Sequence, residues 1–164
     1  MRFIFAILLL TSCASARPVT HGIPQFHEVE HGIYRGGEPT TEGMRYLKSI
    51  GVKAIVKLNP DEFERESNDA SDLGMSIRYV PLKSWLLPKT KDIDLIEEYL
   101  NDKSLRPIFF HCKHGEDRTG MVVGLYRVET DHWSPDHAHQ EMKALGFHPI
   151  LWGLNHYFWE RTEN

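Results

Sequence analysis

The chain has 164 residues, 41% hydrophobic and 26% charged. That is the length and balance of one folded domain, which at this size buries roughly 68–70% of its surface and needs no disulfide or metal to hold a core. Its net charge of −4, from 19 basic and 23 acidic side chains, excludes a generally basic nucleic-acid-binding surface, so any anionic ligand must be held by local donors.

Residues 1–16, MRFIFAILLLTSCASA, read as a secretory signal peptide. Arg2 precedes an apolar run from Phe3 to Leu10, and small residues follow. The run is too short for a spanning helix. Two cleavage points fit: after residue 16, or after residue 12 at the lipobox-like Leu10–Cys13, which would leave a lipidated Cys13 as a membrane anchor. The expected location is the periplasm or cell envelope of a bacterium. Either cleavage leaves Cys112 as the single thiol of a mature domain spanning 19–164. A lone cysteine cannot be trapped in an internal disulfide, although slow oxidation remains open to it.

Further along, GIYRGG (32–37) reads as a short strand and a glycine turn. TTEGMRYLKSIG opens on a capping Thr40 or Thr41 and stops at Gly51, a helix pattern. VKAIVKLN (52–59) is β-branched and apolar, a buried strand. DEFERESNDASDLG reads as a polar, exposed helix ending at Gly74, and MSIRYVPL as another strand. KDIDLIEEYLND places Ile93, Leu95, Ile96, Tyr99 and Leu100 near helical spacing. RPIFFHC is a third buried strand, and TGMVVGLYRVE a central helix apolar nearly all round. Ser134–Pro135 starts a helix that Gly146 ends, and an aromatic-rich helix closes the chain. Alternating strands and helices predict an α/β fold, a mostly parallel central sheet flanked by helices, with ligands beyond the carboxyl ends of the strands.

HCKHGEDRTG (111–120) lies at such an end, between apolar PIFF and apolar MVVGLY. A strand that turns tightly into a helix gathers backbone N–H groups, and the helix N-terminus adds partial positive charge. Such a nest binds a tetrahedral anion. Gly115 permits an unusual φ and Gly120 close packing of the helix start. Arg118 can hold two phosphate oxygens at once. The same field favours a thiolate at Cys112, a nucleophile toward phosphorus. The Thr119 hydroxyl is placed to bond the sulfur. A leaving oxygen needs a proton, and Asp117 is the chosen general acid; Glu116 is its rival on the loop, Asp92 and Asp94 its rivals upstream.

HCKHGEDRTG resembles the His-Cys-x5-Arg-Ser/Thr signature of cysteine-dependent tyrosine and dual-specificity phosphatases. Rhodanese-type sulfurtransferase loops look similar but are shorter. GIYRGGEPTTEGMRYLKSIGVKAIVKLN is similar to the opening of the atypical dual-specificity phosphatases of plants, fungi and bacteria. The resemblance implies a dual-specificity-phosphatase-like fold, a phosphocysteine intermediate, and no metal or other cofactor. It implies catalytic roles for Cys112, Arg118 and Asp117, substrate contacts from Lys113, His114, Gly115, Glu116, Thr119 and Gly120, and support from His111. One departure stands out. Most relatives carry the acid on a mobile loop well upstream, yet VPLKSWLLPKT (80–90) holds none; Asp92 is the first. The xDR of the loop instead matches myotubularin-like lipid phosphatases, which favours Asp117. Lys113 beside the nucleophile suits a substrate with further phosphates: inositol polyphosphates or phosphoinositide head groups. A phosphoprotein, with tyrosine or dual specificity, is the alternative; phosphotyrosine fits less well because no aromatic clamp is evident. A non-catalytic phosphate-binding module is the reading from another class.

The remaining features have ordinary readings. The ten histidines are loosely spaced and read as solvated or structural. Lys83 and Trp85 read as surface or packing residues, and Trp152, Tyr157, Phe158 and Trp159 as core. DEFERESND reads as a solvated face.

Overall fold

Three consecutive apolar residues, Ile108, Phe109 and Phe110, sit at the centre of the architecture. In the computed structural model, which describes residues 19–61 and 63–163, they lie in the middle strand of a five-stranded sheet. The export reading of residues 1–16, Cys13 included, lies outside the described residues. The elements run β1 (Val19–Thr20), β2 (Ile23–Pro24), β3 (His27–Glu30), β4 (Ile33–Gly36), α1 (Thr41–Ser49), β5 (Ala54–Lys57), α2 (Phe63–Asp72), β6 (Ser76–Tyr79), α3 (Thr90–Asn101), β7 (Ile108–His111), α4 (Asp117–Glu129), α5 (Pro135–Ala144) and α6 (Trp152–Thr162). The sheet order is β3-β4-β7-β5-β6. Only the β3–β4 pair is antiparallel, so the sheet is mostly parallel, as the alternation implied.

Because side chains alternate across a strand, β7 must be apolar on both sides. Ile108 and Phe110 join one core with Val56 of β5, Ile96 of α3, Met121 and Leu125 of α4, Met142 of α5 and Phe158 of α6. Phe109 joins the other with Ile55 of β5, Met44 and Leu47 of α1, and Ala70 of α2. Each fully buried large apolar side chain contributes about 1.5–3 kcal/mol. Helix α4 is the most buried: Thr119 through Tyr126 are all inside, which accounts for its lack of a polar face. The caps follow the sequence: Thr40 Oγ1 accepts from the Gly43 N–H, and Ser134 Oγ from the His137 N–H.

Two expectations are corrected, and two features are added. Helix α2 is solvated on one side only: Glu64, Asn68, Ser71 and Asp72 are exposed, but Glu66 and Ala70 are buried. The hairpin β1–β2 and edge strand β3 were not anticipated, their runs being too short for a periodic signal. Trp152, expected in the core, is 61% exposed at the first turn of α6, whereas Tyr157 and Phe158 are buried. Within the α3 pattern, Leu95 is exposed while Ile93 and Ile96 are buried.

Candidate active site

Strand β7 ends at His111 and α4 begins at Asp117, leaving 112–116 as a tight loop at the carboxyl edge of the parallel strands. Gly115 turns it with φ +78°. Among the described residues, the backbone N–H groups of His114, Gly115, Asp117, Arg118 and Thr119 donate to no carbonyl; Gly120 is the first to close a helical bond, to Glu116 O at 2.8 Å. These donors belong to the loop and first helical turn that directly follow Cys112, which is 2% exposed. They make a concave, positively polarised cradle with the sulfur at its base.

The cradle is shaped from outside by the turn after β4. Arg35 Nη2 donates to Gly115 O at 2.7 Å. A Cβ on Gly115 would stand 2.4 Å from Gly36 C and 2.5 Å from Gly37 N, so the two segments touch backbone to backbone. The Glu38 N–H donates to Lys113 O at 3.2 Å. Burial lowers the Arg35 guanidinium to about 10, although the Cys112 and Glu141 charges pull it upward. Arg35 is thus a buried cation beside the 112–116 loop. The sequence reading took GIYRGG only as strand and turn; an arginine inside a short apolar strand was the available signal.

Arg118, in the first turn of α4, donates Nη1–H to Leu82 O at 3.5 Å, so the segment after β6 leans on the guanidinium. Asp92, the first upstream carboxyl, lines a cavity of about 210 Å³ with Leu82 and Lys83. Asp94 does not reach the site: Arg161 Nη1 holds it at 2.7 Å on the α3–α6 surface. Asp117 sits at the loop's helical end, where its Oδ1 accepts the His148 N–H at 2.8 Å and meets the His148 ring Nδ1 at 3.0 Å. This anchors one carboxylate oxygen to the loop between α5 and α6. Glu116, Asp117 and His148 bring ligand-type atoms within 4.8 Å of one another, and Asp117 and His148 are joined directly by two contacts.

The other loop residues divide. His114 is exposed at the mouth. Lys113 places Nζ 3.4 Å from Glu38 Oε1, half-exposed rather than fully turned to solvent. Glu116 is buried against Gly146, away from the mouth. Thr119 Oγ1 is buried but makes no hydrogen bond to Cys112 or to any other described residue, so the expected hydroxyl–sulfur bond is not formed. Gly120 is not sterically required: a Cβ there would meet Phe147 at 3.6 Å, an ordinary contact. His111 is buried and places Nδ1 3.3 Å from Cys112 O. Lys83 and Trp85 are exposed.

A parallel strand, a cysteine at its end, a cradle of free amides and an arginine on the following helix together define the dual-specificity-phosphatase class. The chain belongs to the family described as a DSP-PTPase phosphatase fused to NAD+ kinase, which residues 18–150 match. It is 32% identical over 108 residues to an Arabidopsis thaliana protein named inositol diphosphatase DSP3, covering 62% of this chain and 53% of that one. It is 26% identical over 122 residues to the dual specificity protein phosphatase TpbA of Pseudomonas aeruginosa, covering 70% of this chain and 51% of that one. The chain therefore spans about half the length of these two relatives. The crystal structure of the core catalytic domain of the S. cerevisiae PP-IP phosphatase SIW14, in complex with citrate, superposes with TM-score 0.69 at 26% identity, over 75% of this chain and 76% of that one.

Proposed function

We propose that the protein is a phosphoric monoester hydrolase working through a phosphocysteine on Cys112, with inositol polyphosphates or phosphoinositide head groups as preferred substrates. The observation that carries this reading is the run of N–H groups that donate to no carbonyl between a buried cysteine and the first turn of α4, with Arg118 on that turn. The cradle holds the non-bridging phosphoryl oxygens and stabilises the charge that develops on them. The Cys112 sulfur attacks phosphorus, an S–P bond forms, and the P–O ester bond breaks. Asp117 gives its proton to the leaving oxygen. Water then attacks the phosphocysteine, its proton returns to Asp117, and phosphate leaves with restoration of the sulfur.

Two features support the inositol-phosphate choice. Lys113 and exposed His114 flank the nucleophile at the mouth, where further phosphates of a substrate would lie. The similar plant protein is named an inositol diphosphatase, and the similar yeast structure is titled a PP-IP phosphatase. The residue 1–16 segment supports an exported location. Phosphate release from inositol hexakisphosphate, an inositol diphosphate and a phosphotyrosine peptide tests the choice. Preference for the inositol substrates is expected; preference for the peptide would establish the dual-specificity alternative. Phosphate binding without turnover on any of them, in a protein indifferent to Cys112→Ser, would establish a binding module.

A further inference from the structure

Trp85, Leu86, Leu87, Ile150 and Trp152 are five of the eight large hydrophobic side chains left exposed among the described residues, with Trp85 at 69% and Ile150 at 78%. Single exposed apolar residues are ordinary, whereas a group of them marks a binding surface. These five come from two segments, the loop between β6 and α3 and the turn into α6. The segments touch. A Cβ on Gly153 would stand 2.4 Å from Leu86 C and 2.8 Å from Leu87 N, so its absence lets the Leu86–Leu87 backbone lie against the first turn of α6, next to Trp152. The Trp152 N–H closes a turn onto Ile150 O at 2.8 Å.

Both segments also border the signature loop. Leu82 O accepts from Arg118 Nη1, and the His148 N–H donates to Asp117 Oδ1. The charge around the patch is one-sided. Lys83, Lys89 and Lys91 are exposed, residues 80–91 contain no acid, and Asp92, which follows, is half-buried. On α6, Glu160 pairs at 3.8 Å with His156, whose ring stacks on Trp152. A chain of net charge −4 thus presents a locally basic, apolar face beside its candidate active site.

We propose that this face docks the protein on an anionic lipid surface and holds the signature loop at head-group level. Tryptophan, apolar in its ring and polar at its N–H, settles at the membrane–water interface. Leu86, Leu87 and Ile150 supply the apolar surface that enters the acyl boundary. Lysine stems lie along apolar surface and carry their ammonium groups to anionic head groups. A second copy of the chain fits less well, because a two-fold joint would set the three lysines against their own duplicates. The inference rests on the phosphatase reading for its purpose: of the two proposed substrate classes, it selects phosphoinositide head groups presented in a bilayer.

The test uses the chain from residue 17 onward, which holds every described element and lacks the apolar run 3–10. Co-sedimentation is measured with vesicles of phosphatidylcholine alone and of phosphatidylcholine with about one-third phosphatidylglycerol. The wild type should bind the anionic vesicles at least about tenfold more tightly than the neutral ones, and lose that binding as salt rises. Trp85→Ser combined with Trp152→Ser should weaken binding about tenfold or more, with any hydrolysis of a soluble aryl phosphate unchanged. Lys83→Glu combined with Lys89→Glu should weaken it through charge, and decides the matter if the tryptophan variant fails to fold. No binding by the wild type, or binding unchanged in either folded double variant, overturns the proposal. So does a wild-type dimer that the tryptophan variant converts to monomer without any vesicle binding, which assigns the patch to a second copy. Vesicle binding by a protein that hydrolyses no phosphate ester would defeat the functional reading and leave the docking surface standing.

Discussion

Replacing Gly115 by alanine separates a glycine that the cradle requires from one that it tolerates. Gly115 has φ +78°, a left-handed conformation that costs an alanine about 1–2 kcal/mol. The added Cβ would also stand 2.4, 2.5 and 2.7 Å from Gly36 C, Gly37 N and Gly36 O. These are backbone atoms, held by the β4–β7 ladder and the 2.6 Å bond from the Gly37 N–H to Pro24 O, so they cannot swing aside. Overpacking of this kind costs about 1–3 kcal/mol more. The sum, about 2–5 kcal/mol, should lower the melting temperature by roughly 5–20 °C. Because the loop must part from its platform, kcat on an aryl phosphate should fall at least about tenfold. Gly120→Ala is the internal control. It lies within α4, the nearest atoms to its Cβ would be Phe147 at 3.6 and 3.7 Å and Arg35 Nη2 at 3.8 Å, and alanine there should be neutral or stabilising by about 0.5–1 kcal/mol. Paired thermal melts measure both. Equal shifts in the two variants, or a Gly115→Ala protein that melts and turns over like the wild type, would refute the contact argument.

Acid stability should report the buried network. Burial pushes the Glu38 carboxyl up, but the Asn59 hydrogen bond and the Lys57 and Lys113 charges outweigh it and hold it at about 2, against 4.5 when unperturbed. A folded value below the unfolded one gives stability that is present above pH 4.5 and lost as pH falls toward 2. The loss is on the order of 3 kcal/mol, and Glu38→Gln should flatten urea-denaturation stability across that window. A variant that loses acid stability as steeply as the wild type would count against the assignment. For the general acid, Asp117→Asn should cost about 10²–10⁴-fold on alkyl phosphates and far less on aryl phosphates whose leaving groups need no proton. Equal losses on both would remove Asp117 from the role and direct attention to Asp92.

What could be read in advance divides by distance along the chain. Cys112, Gly115, Arg118 and the start of α4 lie within a few residues, so one stretch displays the proposed nucleophile, the proposed anion cradle and the helix that follows them. The strand IFF, apolar on both faces, likewise announces a central position in a parallel sheet. Glu66 could not be read this way. Its segment is polar nearly throughout, and burial of one carboxylate depends on Lys57 and His111, which reach it from other strands. Arg35 is 80 residues from the carbonyl it holds, so its role is a tertiary fact. Trp152 was misplaced for a related reason: an aromatic cluster signals burial of most members, but the helix turns one of them outward.

Rapid acid quench during turnover, followed by mass spectrometry of the peptide containing Cys112, tests the proposed reaction most directly. A phosphoryl group on the Cys112 sulfur is expected, absent from Cys112→Ser together with all hydrolysis. Steady turnover with no adduct on that peptide, undiminished in Cys112→Ser, would contradict it.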